Sequence, residues 1–114
     1  MILKPAIEPS KAPFITSIAG AALIKALDNF DVKGKVKWPN DILINDKKIA
    51  GILTEMSADI ELIEYIILGI GINVDTMNFP DEIKAIASSL KLEGFNINKI
   101  DLIWSFAYEF EKLY

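Results

Sequence analysis

Apolar residues recur along this chain with two different periods, and the change of period marks its elements. Phe14, Ile15, Ile18, Ala19, Ala22, Leu23, Ala26 and Leu27 fall at helical spacing, which predicts an amphipathic helix over about residues 12–28. Ahead of it, "MILKP" reads as the end of a strand stopped by Pro5, and "IEPSKAP" as a turn-rich connector. Ser10 can cap the helix, with Pro13 in its first turn. Gly20 and the alanines leave room for a close neighbour. "DNFDVKGK" ends the helix, and strand-like runs follow at about 35–45, 48–57 and 65–74. The first run is split at Pro39. The short turn at 45–47 joins the first two as an antiparallel hairpin. The third, "YIILGIGINV", is apolar on both parities, as in a strand buried on both faces or holding a ligand on one. Pro80 to Leu90 predicts a short helix with Asp81 and Glu82 at its positive end. Asn98 can cap a last helix with a stripe of Ile100, Ile103, Phe106, Ala107, Phe110 and Leu113. The order predicts one α+β domain over 1–114, a mixed sheet with helices packed on one side.

Composition narrows the chemistry. The 114 residues are 52% hydrophobic, enough for a core, and the net charge of -4 comes without a dense basic cluster, which argues against a nucleic-acid module. No apolar run reaches the ~18 residues of a membrane span, and no signal-peptide h-region is visible, so cytoplasm is the expected compartment. With no Cys and no His, thiol nucleophiles, Cys/His zinc sites and His-based triads are excluded. Carboxylates, lysines, Asn, hydroxyls, backbone amides or a bound metal must carry any catalysis.

The strand region is heavily punctuated by polar residues. In "KWPND" (37–41), Trp38 is biased to extended backbone by the following proline, and Pro39 interrupts the ladder. Asn40 and Asp41 can there leave the sheet for a cleft, or else form a bulge with an Asx turn. Lys37, Lys47 and Lys48 are ordinary solvated cations by default. Lys48 stands apart because it opens "KIAGIL", where Ala50 and Gly51 leave space for a ligand. In "GIGIN", Gly69 and Gly71 share one face of a strand, with Asn73 next on that face. Two such glycines leave a patch free of side chains, for a planar ligand or for a close-packed helix such as 14–27. A third glycine is missing, so this is not a dinucleotide fingerprint.

In this order and spacing, "KWPND", "KIAGIL" and "GIGINV" resemble the catalytic domain of the biotin protein ligases (biotin–[acetyl-CoA-carboxylase] ligases), and "ASSLKLEG" and the Phe/Tyr-rich closing helix extend the resemblance over nearly the whole chain. It implies ATP-dependent formation of biotinyl-5′-AMP, then transfer of biotin to a lysine of a biotin carboxyl carrier protein domain. By position, Lys48 matches the lysine that meets biotin's carboxylate and the adenylate phosphate. Asp41 matches the acid that orients or deprotonates the acceptor lysine. Lys37 and Asn40 match residues near the nucleotide phosphates. Gly51, Gly69 and Gly71 match the biotin pocket, and Asn73 matches a residue beside the adenine. Magnesium would come with the nucleotide phosphates, and no residue is assigned as a metal ligand. The family's Gly/Arg-rich loop, of the form G-R-G-R-R-G, has no counterpart here, so the chain corresponds to the C-terminal part of such a catalytic domain. A homodimer or a complementing N-terminal half is therefore expected. A non-catalytic binding or dimerisation module, and a lipoate ligase or octanoyl transferase of the same fold, are the alternatives.

Overall fold

Alternation along the two longest strands sorts their side chains onto two unlike faces, and that sorting organises the chain. The computed structural model describes residues 1–114. In order it contains β1 (Ile2–Leu3), a 3-10 turn (Pro9–Lys11), α1 (Pro13–Asp28), β2 (Lys35–Lys37), β3 (Asp41–Ile44), β4 (Lys47–Ala58), β5 (Ile63–Ile72) and α2 (Lys99–Leu113). The strands form one sheet in the order β1-β5-β4-β3-β2. All of its strand pairs are antiparallel, and parallel pairing is confined to an isolated bridge between Lys48 and Ala87. The expected division of 35–45 at Pro39 and the hairpin from β3 to β4 are both present.

One face carries Ala50, Ile52, Ile66, Leu68, Ile70 and Ile72, and α1 packs there through Ala19, Ala22, Leu23, Ala26 and Leu27. These small residues bring helix and sheet close, and Thr16 and Thr54 share a hydrogen bond of 3.0 Å across the contact. Phe110 of α2 joins Ala19, Ala22, Ile52 and Leu68 in one cluster, so both helices lie on the same side. A fully buried Leu of this kind contributes about 1.5–3 kcal/mol. The other face of β4 and β5 carries Gly51, Leu53, Ile67, Gly69 and Gly71 and has no helix over it.

Three local expectations are corrected. Ser10 does not cap α1: the N-cap is Ala12, with no side-chain cap bond, after a 3-10 turn. Pro13 has no amide hydrogen, so there is one donor fewer for a cap to satisfy. Residues 80–90 do not form a helix. Turns close at Pro80–Ile83 and Ile83–Ala87, and the chain then extends along the sheet, with Lys48 N–H bonded to the Ile86 carbonyl at 2.8 Å and Ser88 N–H to the Lys48 carbonyl at 2.9 Å. Free backbone groups at the start of β4, together with burial of Leu90, outweigh the local helical preference. The apolar stripe of α2 is also rotated. Leu102 and Phe110 are buried, while Ile100 and Ile103 are exposed. Polar ties choose this rotation: Asn29 Nδ2 donates to Ser105 Oγ and to Glu109 Oε1, and Ser105 Oγ donates to the Ala26 carbonyl. The Asn98 cap is as expected, with its Oδ1 accepting from Ile100 N–H at 2.8 Å and Asp101 N–H at 3.2 Å.

Candidate functional site

A bulge in β4 builds the site. Asp41 pairs with Gly51 and Ile42 with Ala50, but Leu43 pairs with Lys48, so Ile49 is an extra residue. Ile49 and Ala50 are both buried. Strict alternation would place Lys48 and Gly51 on opposite faces; the extra residue returns them to the same face. There Lys48 Nζ lies 3.1 Å from Asp41 Oδ1. The registers then align Lys37, Asp41, Gly51 and Gly71 in one row across four strands. A Cβ on Gly51 would stand 3.2 Å from Lys48 Nζ and 3.8 Å from Asp41 Oδ1, so the lysine tip would have to give way slightly to any side chain there, and the ion pair lies directly over the glycine.

Beside this row lies an open groove of about 650 Å³. Gly51 and Gly71 form its floor, Lys48 and Asn73 are its polar groups, and Phe79, Ile83 and Ile86 supply an apolar wall. Asn73 is anchored on three sides. Its N–H donates to the Ile49 carbonyl at 2.8 Å, its carbonyl accepts from Leu90 N–H at 2.9 Å, and its Nδ2 donates to the Ser88 carbonyl at 3.2 Å. Its Oδ1 is left without a partner in the chain.

The glycines are not there to admit a helix. A Cβ on Gly71 would meet nothing within 4 Å, and one on Gly69 would meet only the Leu53 carbonyl, at an ordinary 3.6 Å. Both face away from α1. Lys48, Asp41, Gly51, Gly71 and Asn73 therefore come together, with Gly69 on the same face one pair along and Lys37 at the exposed end of the row.

Asn40 does not join them. Its Nδ2 donates to the Ile52 carbonyl at 3.0 Å and its own carbonyl accepts from Ile52 N–H at 2.9 Å. It lines a separate hollow with Thr16, Trp38 and Thr54. The kink after Pro39 turns Asn40 back on β4 as a clamp and leaves Asp41 as the residue presented to the open face. The wall residues Phe79, Ile83 and Ile86 were missed because Ile83 and Ile86, three apart, fit a helix equally well. No pattern in the sequence marks them as a groove wall.

The sequence profile of the Biotin/lipoate A/B protein ligase family matches residues 1–73. The chain belongs to that family. Over 118 aligned residues it is 42% identical to the bifunctional ligase/repressor BirA of Bacillus subtilis, covering 100% of this chain and 36% of that protein. In fold it resembles the biotin protein ligase of Aquifex aeolicus in complex with biotin and ATP, with a TM-score of 0.77 at 23% identity, over 98% of this chain and 48% of that one. A likeness to P. falciparum LipL1 in complex with lipoate reaches a TM-score of 0.65 at 27% identity, over 87% of this chain and 31% of that one. The chain thus spans about a third to a half of these family members.

Proposed function

We propose that residues 1–114 form one domain, the C-terminal portion of a biotin protein ligase catalytic domain, and carry the part of the site that holds the acyl-adenylate. The observation that carries this reading is the Lys48–Asp41 pair beside a groove floored by Gly51 and Gly71. In the first step a biotin carboxylate oxygen attacks the α-phosphorus of ATP, and pyrophosphate leaves. Lys48 faces the carboxylate and the α-phosphate and neutralises the charge that develops between them. In the second step the ε-amine of a carrier lysine attacks the acyl carbon and AMP leaves. Asp41 orients that amine and takes its proton. Lys37, at the open end of the row, meets the nucleotide phosphates, and Asn73 offers its free Oδ1 to the adenine. Gly69 and Gly71 let the biotin ring system lie against the sheet. Asn40 acts here by holding the Asp41 turn to β4.

No group of three or more His, Cys, Asp or Glu side chains stands together in the chain, so magnesium fits only as an ion brought by the nucleotide phosphates. Biotin is favoured over lipoate by "KWPND" and by the relatives' names. All 12 cationic side chains of the sequence are lysines, so none can grip a phosphate in bidentate fashion. Loss of one major electrostatic donor typically costs about 10²–10³ in rate. The isolated chain should therefore bind biotin weakly and catalyse little or no biotin-dependent ATP–pyrophosphate exchange. A polypeptide carrying the family's Gly/Arg loop should restore exchange, and Lys48→Ala in that mixture should abolish it. Exchange supported by lipoate instead of biotin would overturn the substrate, and robust carrier biotinylation by the chain alone would overturn the need for a complement.

A further inference from the structure

Ser88 and Ser89 of "ASSLKLEG" are buried, yet neither lines the groove. A buried hydroxyl is costly unless it is hydrogen-bonded, and an alanine would fill the same place without that cost. Ser89, with no exposed surface, makes two bonds. Its Oγ accepts from Leu92 N–H at 3.1 Å and donates to the Thr76 carbonyl at 2.6 Å. The first bond is local, within a turn that Glu93 N–H closes as well by donating to the Ser89 carbonyl at 3.0 Å. The second joins residues 13 apart in the chain.

The segment between Thr76 and Ser89 carries the groove wall. Where the chain leaves β5 it is tied by Leu90 N–H to the Asn73 carbonyl and by Lys91 N–H to the Val74 carbonyl, both at 2.9 Å. Past Val74 the ties thin out. Residues 75–79 make a single hydrogen bond, the one from Ser89. Beside it stands an exposed Asp75–Lys99 pair at 3.6 Å, and surface pairs of this kind contribute little. Ile83 and Ile86 are held separately, by the Pro80–Ile83 and Ile83–Ala87 turns and by the bond from Lys48 N–H to the Ile86 carbonyl. Phe79 has no such support. It is half-buried and lines the groove, but it packs into none of the apolar clusters of the core.

We propose that Ser89 is a positioning residue of the ligand groove: through the Thr76 carbonyl its hydroxyl fixes the stem from which Phe79 reaches the wall, so that the wall stands before a ligand arrives. The identity of that ligand, an acyl-adenylate, rests on the ligase reading; the placement of Phe79 does not. With Leu92 N–H on one lone pair of Oγ, the hydroxyl hydrogen is left to Thr76. Thr76 is exposed, so its carbonyl can turn to water when the hydroxyl is absent. Removing the hydroxyl therefore frees the stem without opening the core. Only molecules with the wall in place are then competent to bind. Ordering the freed side chain at the moment of binding lowers affinity by about 2- to 12-fold.

The first arm of the test needs no ligand. In the isotope-labelled chain, Ser89→Ala should lower the amide order parameters of Asn78 and Phe79 from the rigid range, about 0.85, to below about 0.6. The amides of Asn73, Leu90 and Lys91 should keep theirs. In the second arm, with the complementing polypeptide present, the same variant should bind a biotinyl-adenylate analogue about 2- to 12-fold more weakly. In a Phe79→Ala background, Ser89→Ala should have no further effect on affinity, since the side chain it positions is gone. A general loosening of the fold would instead add its full effect there. If Ser89→Ala does not fold, Ser89→Cys, whose thiol is a weak donor, takes its place. A Phe79 that stays rigid in the variant overturns the inference whatever the ligand does. So does a loosened Phe79 with unchanged affinity in a parent that binds, and so does an equal loss with and without Phe79. A parent that does not bind the analogue refutes the ligase reading instead, and the order parameters then decide the inference by themselves.

Discussion

Gly71→Ala separates a ligand floor from a packing requirement, because the two predict opposite signs. A glycine inside a strand costs about 0.5–1 kcal/mol relative to alanine. At Gly71 a Cβ would find nothing within 4 Å, and its backbone is not in the left-handed region. The substitution should therefore raise stability by about that amount. For a domain of this size it should raise Tm by about 2–8 °C, at about 4–8 °C per kcal/mol. A ligand lying on the floor would have its carbons about 3.5–4 Å from the glycine Cα, so a methyl group there forces it to shift. Overpacking of this kind costs about 1–3 kcal/mol, or about 5- to 150-fold in affinity. Scanning calorimetry reads the first effect, and titration calorimetry with biotin and a biotinyl-adenylate analogue, in the presence of the complementing polypeptide, reads the second. Gly71→Ala that is less stable than the parent, or equally stable but unchanged in affinity, would refute the assignment of the floor.

The other expectations are simpler. Lys48 and Asp41 are both partly exposed, so Lys48→Ala should change stability by no more than about 1 kcal/mol, read by urea unfolding, while adenylate binding is lost. Asn98→Ala removes both bonds of the α2 cap and should cost about 0.5–2 kcal/mol in the same assay. Glu109 is buried, and its carboxyl is held below the ordinary glutamate range, first by the Asn29 amide and then by Lys112, against the opposing effect of burial. A depressed carboxylate stabilises the fold fully above its unfolded pKa, about 4.3, and that stabilisation is lost as pH falls through the lower folded value. Glu109→Gln should therefore be less stable than the parent at pH 7 and converge with it in acid. A constant difference across the acid limb would show that the carboxylate charge is not what ties α1 to α2.

Local rules determined a good deal of this protein. The period of apolar residues located α1, the short turn at Asn45 and Asp46 joined β3 to β4, and Asn98 stood where a cap was needed. Parity alone placed Gly69 and Gly71 on one face, because a strand's side chains alternate whatever surrounds it. Tertiary structure decided what parity could not. Whether that face met a helix or stood open depended on where α1 packed. Lys48 joined Asp41 only because Ile49 bulges into the core, a choice made by the burial of Ile49 and Ala50 together. Residues 80–90 gave up a helix-like pattern for backbone bonds to Lys48 and Asn73, and α2 turned to satisfy the buried Glu109 carboxylate. In each case a long-range partner supplied hydrogen bonds or burial stronger than a local preference of a few tenths of a kcal/mol per residue.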